Sequence, residues 1–175
     1  INILSIGRLV AQKDHITILK ALNLIKNKKK YKLIIIGKGV DYIKLVSFIK
    51  KKKLSKYVKI LNYKKNVYPY YLKADAFILS SLYEGLPNTL IEAVSLGVPI
   101  ISSNCKTGPK EILKNGKYGK LFNVQDFKKL SSLIIKIKKK QKIKFVNDKR
   151  FDFALNLKKY ENLINSLKLL LIFYF

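Results

Sequence analysis

Methionine and tryptophan are absent from this chain of 175 residues, and histidine and cysteine occur once each. A single cysteine, Cys105, excludes an internal disulfide framework and fits a reducing compartment. No base partner for it is evident, so Cys105 reads as a small packed side chain and not as a nucleophile. The lone histidine, His15, cannot build a zinc site with so few ligand-type neighbours, and no Ser–His–Asp set can be assembled around it. It falls at a helix start and is expected to be exposed. No apolar run approaches 18 residues, and the terminal stretch from Leu169 to Phe175 is too short to span a bilayer. No signal-peptide pattern appears. Cytoplasmic localisation is therefore expected.

Acidic residues are scarce: 10 Asp and Glu face 37 Lys and Arg, for a net charge of +27. A charge of that size points first to nucleic acid or to an anionic membrane. Nearly all of it is lysine, since arginine occurs only at Arg8 and Arg150. Abundant Lys, Ile, Asn, Tyr and Phe follow from AT-rich coding without any partner. The lysines are also dispersed instead of forming one stripe. A solvated basic surface is the plain reading, with peripheral contact to an anionic membrane as the functional one; no nucleic-acid partner is expected.

What remains is a strongly alternating chain. Apolar runs at Asn2–Ile6, Tyr31–Ile36, Tyr57–Leu61, Ala74–Leu79, Val98–Ser102 and Gly119–Phe122 predict six short strands. Between them lie helical patterns. Asp14 can cap a helix with Ile18, Leu19, Leu22 and Ile25 on its apolar face. Ile43, Val46 and Ile49 mark a second helix, Val67–Leu72 a short third, Pro109–Leu113 another. Asp126 can cap one through Phe127, Leu130, Ile134 and Ile137. After a Lys-rich link, Leu155–Leu171 can form a last helix. Short strands alternating with helices predict an α/β fold, Rossmann-like, with three α/β/α layers around a mostly parallel six-stranded sheet. Residues 1–145 form the expected domain, with 146–175 as linker and closing helix.

The stretch Ser80-Ser81-Leu82-Tyr83-Glu84-Gly85-Leu86-Pro87-Asn88-Thr89-Leu90-Ile91-Glu92-Ala93 organises the rest. It leaves the fourth strand, turns at Gly-Leu-Pro and becomes a helix, with Pro87 expected at the first helical position. Glu84 precedes the helix, and Glu92 lies roughly 7 Å along its axis. A helix N-terminus has free N–H groups and partial positive charge, and suits a phosphate. Carboxylates beside a phosphate repel it unless they reach past it to hydroxyls. A nucleotide-sugar, with ribose, diphosphate and sugar in sequence, satisfies both demands. A surface loop residue at 84 and a solvated helix residue at 92 are the plain alternative.

The other special residues follow strand ends, where ligands of such sheets bind. Arg8 and Lys13 bracket the first crossing and could hold a diphosphate and stabilise it as it leaves. Gly37 and Gly39 allow close backbone approach, to a ligand or within a simple turn. Lys106-Thr107-Gly108-Pro109-Lys110-Glu111 offers N–H groups or merely a helix cap.

Gly7-Arg8-Leu9 with Gln12-Lys13-Asp14, Glu84-Gly85-Leu86-Pro87-Asn88 through Glu92, and Ser102 through Gly108-Pro109-Lys110-Glu111-Ile112-Leu113 resemble the family 4 glycosyltransferases (glycosyl transferases group 1). The match is to the C-terminal, donor-binding half of their two-domain GT-B fold, over residues 1 to 145. The resemblance implies retaining transfer of a sugar from a nucleotide-sugar, a UDP-sugar first and a GDP-sugar as alternative. It also implies a glycan or lipid-linked acceptor of surface polysaccharide synthesis, without an essential metal or other cofactor. Arg8 and Lys13, with Gly7 and Gly37 beside them, would bind the diphosphate, and the backbone of Gly85 and of Asn88, Thr89 and Leu90 would support it. Glu92 would pair with ribose hydroxyls, and Glu84 would orient the donor sugar at the reacting carbon. Lys110 stands where many relatives carry Arg, and Asn62 where Gly is frequent. Because the sequence starts without Met inside a strand, it is expected to be part of a longer protein or a truncated copy of one, with the N-terminal acceptor domain absent from it. The chain alone is therefore expected to bind nucleotide and to turn over slowly or not at all. The alternative is an inactive nucleotide-binding remnant, or a subunit needing a separate N-terminal domain.

Overall fold

Six apolar runs become the strands of one sheet: β1 (Asn2–Ile6), β2 (Lys32–Ile36), β3 (Val58–Leu61), β4 (Ala76–Leu79), β5 (Ile100–Ser103) and β6 (Lys120–Phe122). They come from a computed structural model that describes residues 1–139, all within the compact unit Ile1–Phe145. The expected helix Leu155–Leu171, the linker before it and Arg150 lie outside the described residues.

Every strand pair is parallel, and the order is β3-β2-β1-β4-β5-β6. All four residues of β4 are buried, as expected of a strand covered on both faces. Its start is fixed by the Asp75 carboxylate, which accepts the Asn2 amide at 2.7 Å. The helices are α1 (His15–Leu24), α2 (Tyr42–Lys51), α3 (Tyr68–Lys73), α4 (Asn88–Ser95), α5 (Pro109–Ile112) and α6 (Phe127–Ile135). Right-handed crossovers put α1 and α2 on one face and α3, α4 and α5 on the other. α6 returns to pack against α1. Ile18, Leu19 and Leu22 of α1 and Leu130 and Ile134 of α6 close over Ile3, Leu33 and Ile35 of the sheet. The fold is the Rossmann-like α/β/α arrangement expected from the sequence.

This strand order places the switch of winding direction between β1 and β4. Their carboxyl ends run straight into Gly7-Arg8 and Ser80-Ser81. Crevices at such points bind ligands because the flanking loops diverge to opposite faces.

Three local expectations need correction. His15 is buried, at 4% exposure. A 3-10 turn at Ala11–Lys13 and a left-handed Asp14 (φ 45°, ψ 43°) swing the chain so that the imidazole points at the sheet. Its Nδ1 lies 3.3 Å from Ser5 Oγ on β1, and burial lowers its pKa to about 4. Asp14 does occupy the cap position, but its carboxylate accepts the Thr17 hydroxyl at 2.7 Å instead of a backbone amide. Pro87 is the cap of α4 and not its first residue (φ −74°, ψ 94°), because its carbonyl already accepts the Leu90 and Ile91 amides.

Candidate active site

The crossing from β1 to α1 is tied down by backbone. Gly7 N–H donates to the Ile36 carbonyl at 3.0 Å, Leu9 N–H to Lys38 at 2.9 Å, and Asp41 N–H to Leu9 at 2.8 Å. The close approach that Gly37 permits is to this chain itself: a Cβ there would fall on the Gly7 carbonyl. Arg8 projects from the crossing and is exposed. Its guanidinium donates to Gln12 Oε1 at 3.3 Å, and Gln12 Nε2 donates to the Tyr83 carbonyl at 3.0 Å. The first crossing is thus linked to the loop after β4.

In that second loop Glu84 is buried, at 8% exposure, which sets aside its reading as a surface residue. Lys13 Nζ approaches Glu84 Oε1 at 2.5 Å, and Ser81 Oγ donates to the same oxygen at 2.6 Å. The Thr107 hydroxyl donates to the Glu84 carbonyl. Ser103 Oγ holds the Ser81 carbonyl at 2.7 Å, and Ser80 Oγ reaches the carbonyls of Lys13 and Asp14, each at 2.9 Å. Among the described residues Lys13 spends one of its three ammonium donors, on Glu84. A carboxylate oxygen clasped by an ammonium and a hydroxyl is a poor nucleophile and a rigid acceptor. Cys105 stands nearby, and burial raises its thiol pKa, consistent with a packed, inert side chain.

Glu92, on α4, is partly buried and faces a cleft of about 480 Å³ that it shares with Gly7, Arg8, Gly37 and Thr89. Lys38, Lys64 and Lys65 add further positive charge to that cleft. The Tyr71 hydroxyl, on α3, contacts Glu92 Oε2 at 3.0 Å and the Thr89 carbonyl at 2.9 Å. At the start of α4, the Asn88 and Thr89 amides have no protein acceptor among the described residues, whereas the Leu90 amide is taken by Pro87. Leu90 itself is fully buried and contributes packing. Gly85 has open space where a Cβ would stand. Gly108 (φ 85°) packs on the Gly85 carbonyl and on Pro87, so any side chain there would be strained and would press on the glutamate loop.

The sequence-derived residues therefore gather in two adjoining places. Gly7, Arg8, Gly37, Thr89 and Glu92 share the cleft, while Lys13 and Glu84 form a partly buried pair beside it; Gly85, Asn88 and Leu90 line neither. The Lys13 stem lies 3.4–3.6 Å from the point where a Gly7 Cβ would be. A second cleft, of about 250 Å³ near Pro99, Ile100 and Tyr118, lies at the opposite end of the sheet. Among the described residues no three His, Cys, Asp or Glu side chains are grouped to hold a metal ion. Likewise, no helix there is long and apolar enough to cross a membrane. Sequence reasoning gave no role to Ser81, Gln12 or Tyr71. Ser81 stands inside the motif, and its distance of three residues from Glu84 was the available signal; for Tyr71 none existed.

The glycosyl transferases group 1 profile matches residues 1–169. The chain is 43% identical over 111 residues to an uncharacterized glycosyltransferase of Methanocaldococcus jannaschii, a match that covers 63% of this chain and 27% of the relative. Lipopolysaccharide outer core galactosyltransferase WaaB, solved in its apo form, superposes with a TM-score of 0.77 at 26% identity, over 94% of this chain and 49% of WaaB. Anabaena HepE, solved in complex with UDP, superposes with a TM-score of 0.81 at 22% identity, over 94% of this chain and 48% of HepE. The chain thus spans about a quarter to a half of the length of these proteins. A profile match over residues 1–169, carried on a parallel sheet switched between β1 and β4, shows that the chain belongs to the glycosyl transferases group 1 family.

Proposed function

We propose that this chain is the donor-binding part of a retaining glycosyltransferase. The observation that carries the proposal is the shared cleft: Arg8, Glu92 and the open start of α4 meet at the switch point, next to the Lys13–Glu84 pair. Arg8 and the Asn88 and Thr89 amides would hold the diphosphate, and Glu92 would accept from ribose hydroxyls. Glu84, fixed by Lys13 and Ser81, would orient the donor sugar. When the bond from the anomeric carbon to the diphosphate breaks, its electron pair leaves on the diphosphate, and the acceptor hydroxyl oxygen bonds to that carbon as its proton passes to the departing phosphate oxygen. Arg8 and the Lys13 ammonium stabilise that charge. UDP bound to the similarly folded HepE supports a UDP-sugar as donor, with a GDP-sugar as the alternative. The lipopolysaccharide role of WaaB supports a glycan or lipid-linked acceptor of surface polysaccharide synthesis. The net charge of +27 supports peripheral contact with the anionic cytoplasmic face of a membrane.

Calorimetric titration with UDP, GDP and their sugar conjugates tests this reading. Binding of one nucleotide class is expected, and failure of all of them to bind would overturn it. The short coverage of the relatives favours a second, narrower reading, in which the chain needs a separate N-terminal half for turnover. Transfer assays with and without such a half decide it; sugar transfer by the chain alone would defeat the narrower reading.

A further inference from the structure

The geometry points to Tyr71 as a positioning residue that fixes the Glu92 carboxylate for a ribose diol. This inference rests on the donor-site reading above. Tyr71 is fully buried, and its ring packs 5.5 Å from Phe77 of β4. Its hydroxyl cannot wander, because it is held at once by the Thr89 carbonyl at 2.9 Å and by Glu92 Oε2 at 3.0 Å. One hydroxyl proton shared between two acceptors gives a divided hydrogen bond, with the ionised carboxylate as the stronger acceptor. Burial, then the neighbouring Glu92 charge, drive the phenol pKa upward, so it remains a donor at every physiological pH.

A partly exposed glutamate on a helix samples several rotamers. With Oε2 held by Tyr71, the Glu92 side chain that lines the cleft has fewer rotamers open to it. Two adjacent hydroxyls need acceptors in a fixed plane, so a pinned carboxylate binds them without first losing rotamer entropy. The same bond to the Thr89 carbonyl ties the first turn of α4 to α3. One buried tyrosine thereby aligns the ribose acceptor with the amides expected to meet the diphosphate.

The test compares UDP with 2′,3′-dideoxy-UDP by calorimetry on the chain and its variants. In the unaltered chain the missing hydroxyls should weaken binding about tenfold or more, as for hydrogen bonds to a charged group. In Tyr71→Phe, which keeps the packed ring, that gap should shrink to about threefold or less, because UDP loses more affinity than dideoxy-UDP does. A role in stability alone would weaken both nucleotides equally, and a gap as wide as in the unaltered chain would overturn the proposal. Should Tyr71→Phe not fold, Glu92→Asp withdraws the carboxylate from Tyr71 by one methylene without touching the core. The gap should close there too, and its persistence would refute the need for pinning. An unaltered chain that binds UDP without any gap would overturn the ribose role of Glu92 and this proposal with it. An unaltered chain that binds no UDP would overturn the donor reading first.

Discussion

The two loops that flank the switch point carry opposite charge and are fastened in opposite ways. The crossing after β1 brings the cations Arg8 and Lys13, and its course is set by backbone hydrogen bonds to β2 and the turn beyond it. The loop after β4 brings Glu84, and most of its fastenings are side chains: Ser80, Ser81, Ser103, Thr107 and Gln12. A loop held by backbone keeps its shape when a side chain is replaced. A loop held by hydroxyls shifts when one is lost. The first should therefore lose ligand contacts one at a time, while the second should lose alignment.

The largest expected effect separates the two loops directly. Glu84→Gln should lower sugar transfer by roughly 10²–10³, the scale for losing one preorganised electrostatic group. UDP affinity should stay within about threefold. Transfer is measured with an N-terminal half supplied, and a parallel loss of UDP affinity would place Glu84 in binding instead.

Next comes the buried base of the first crossing. His15 is neutral in the fold because burial lowers its pKa from 6.5 to about 4. Its stabilising contribution is complete above pH 6.5 and is lost as pH falls toward about 4, where the unfolded chain binds the extra proton. The size is about 3 kcal/mol. Burial raises the pKa of neighbouring Asp14, which acts in the opposite sense over its own range. Urea unfolding of the chain and of His15→Gln at several pH values isolates the histidine share: the difference should narrow on acidification. A difference independent of pH would contradict this.

Arg8→Ala should weaken UDP binding by about 1–3 kcal/mol without moving the unfolding midpoint, since the guanidinium is exposed and its hydrogen bond to Gln12 is long. Ser81→Ala should have the smallest effect, about 1 kcal/mol, seen as a several-fold loss of transfer at unchanged UDP affinity. Equal responses of binding and transfer in both variants would erase the distinction between the loops.

The framework of the molecule was legible because short apolar strands separated by helical patterns admit few arrangements. Strand ends marked by Gly-Arg, Gly-Lys-Gly and Ser-Ser then located one edge of the sheet. What local pattern could not show depends on long-range approach. Lys13 and Glu84 are 71 residues apart in sequence, and their contact exists only once β1 and β4 pair. Tyr71 looked like one aromatic among many in a short helix, and only the docking of α3 beside α4 puts its hydroxyl on Glu92. His15 departs from the exposed position expected of a helix start because the left-handed Asp14 before it turns the side chain inward. Pro87 was displaced by one residue because a helix cap and the first helical position differ in ψ, which the sequence does not carry.

A crystal structure of the chain with UDP tests the shared cleft most directly. The diphosphate should lie between Arg8 and the Asn88 and Thr89 amides, with the ribose hydroxyls on Glu92. UDP bound at the opposite end of the sheet, beside Pro99 and Tyr118, would contradict the assignment.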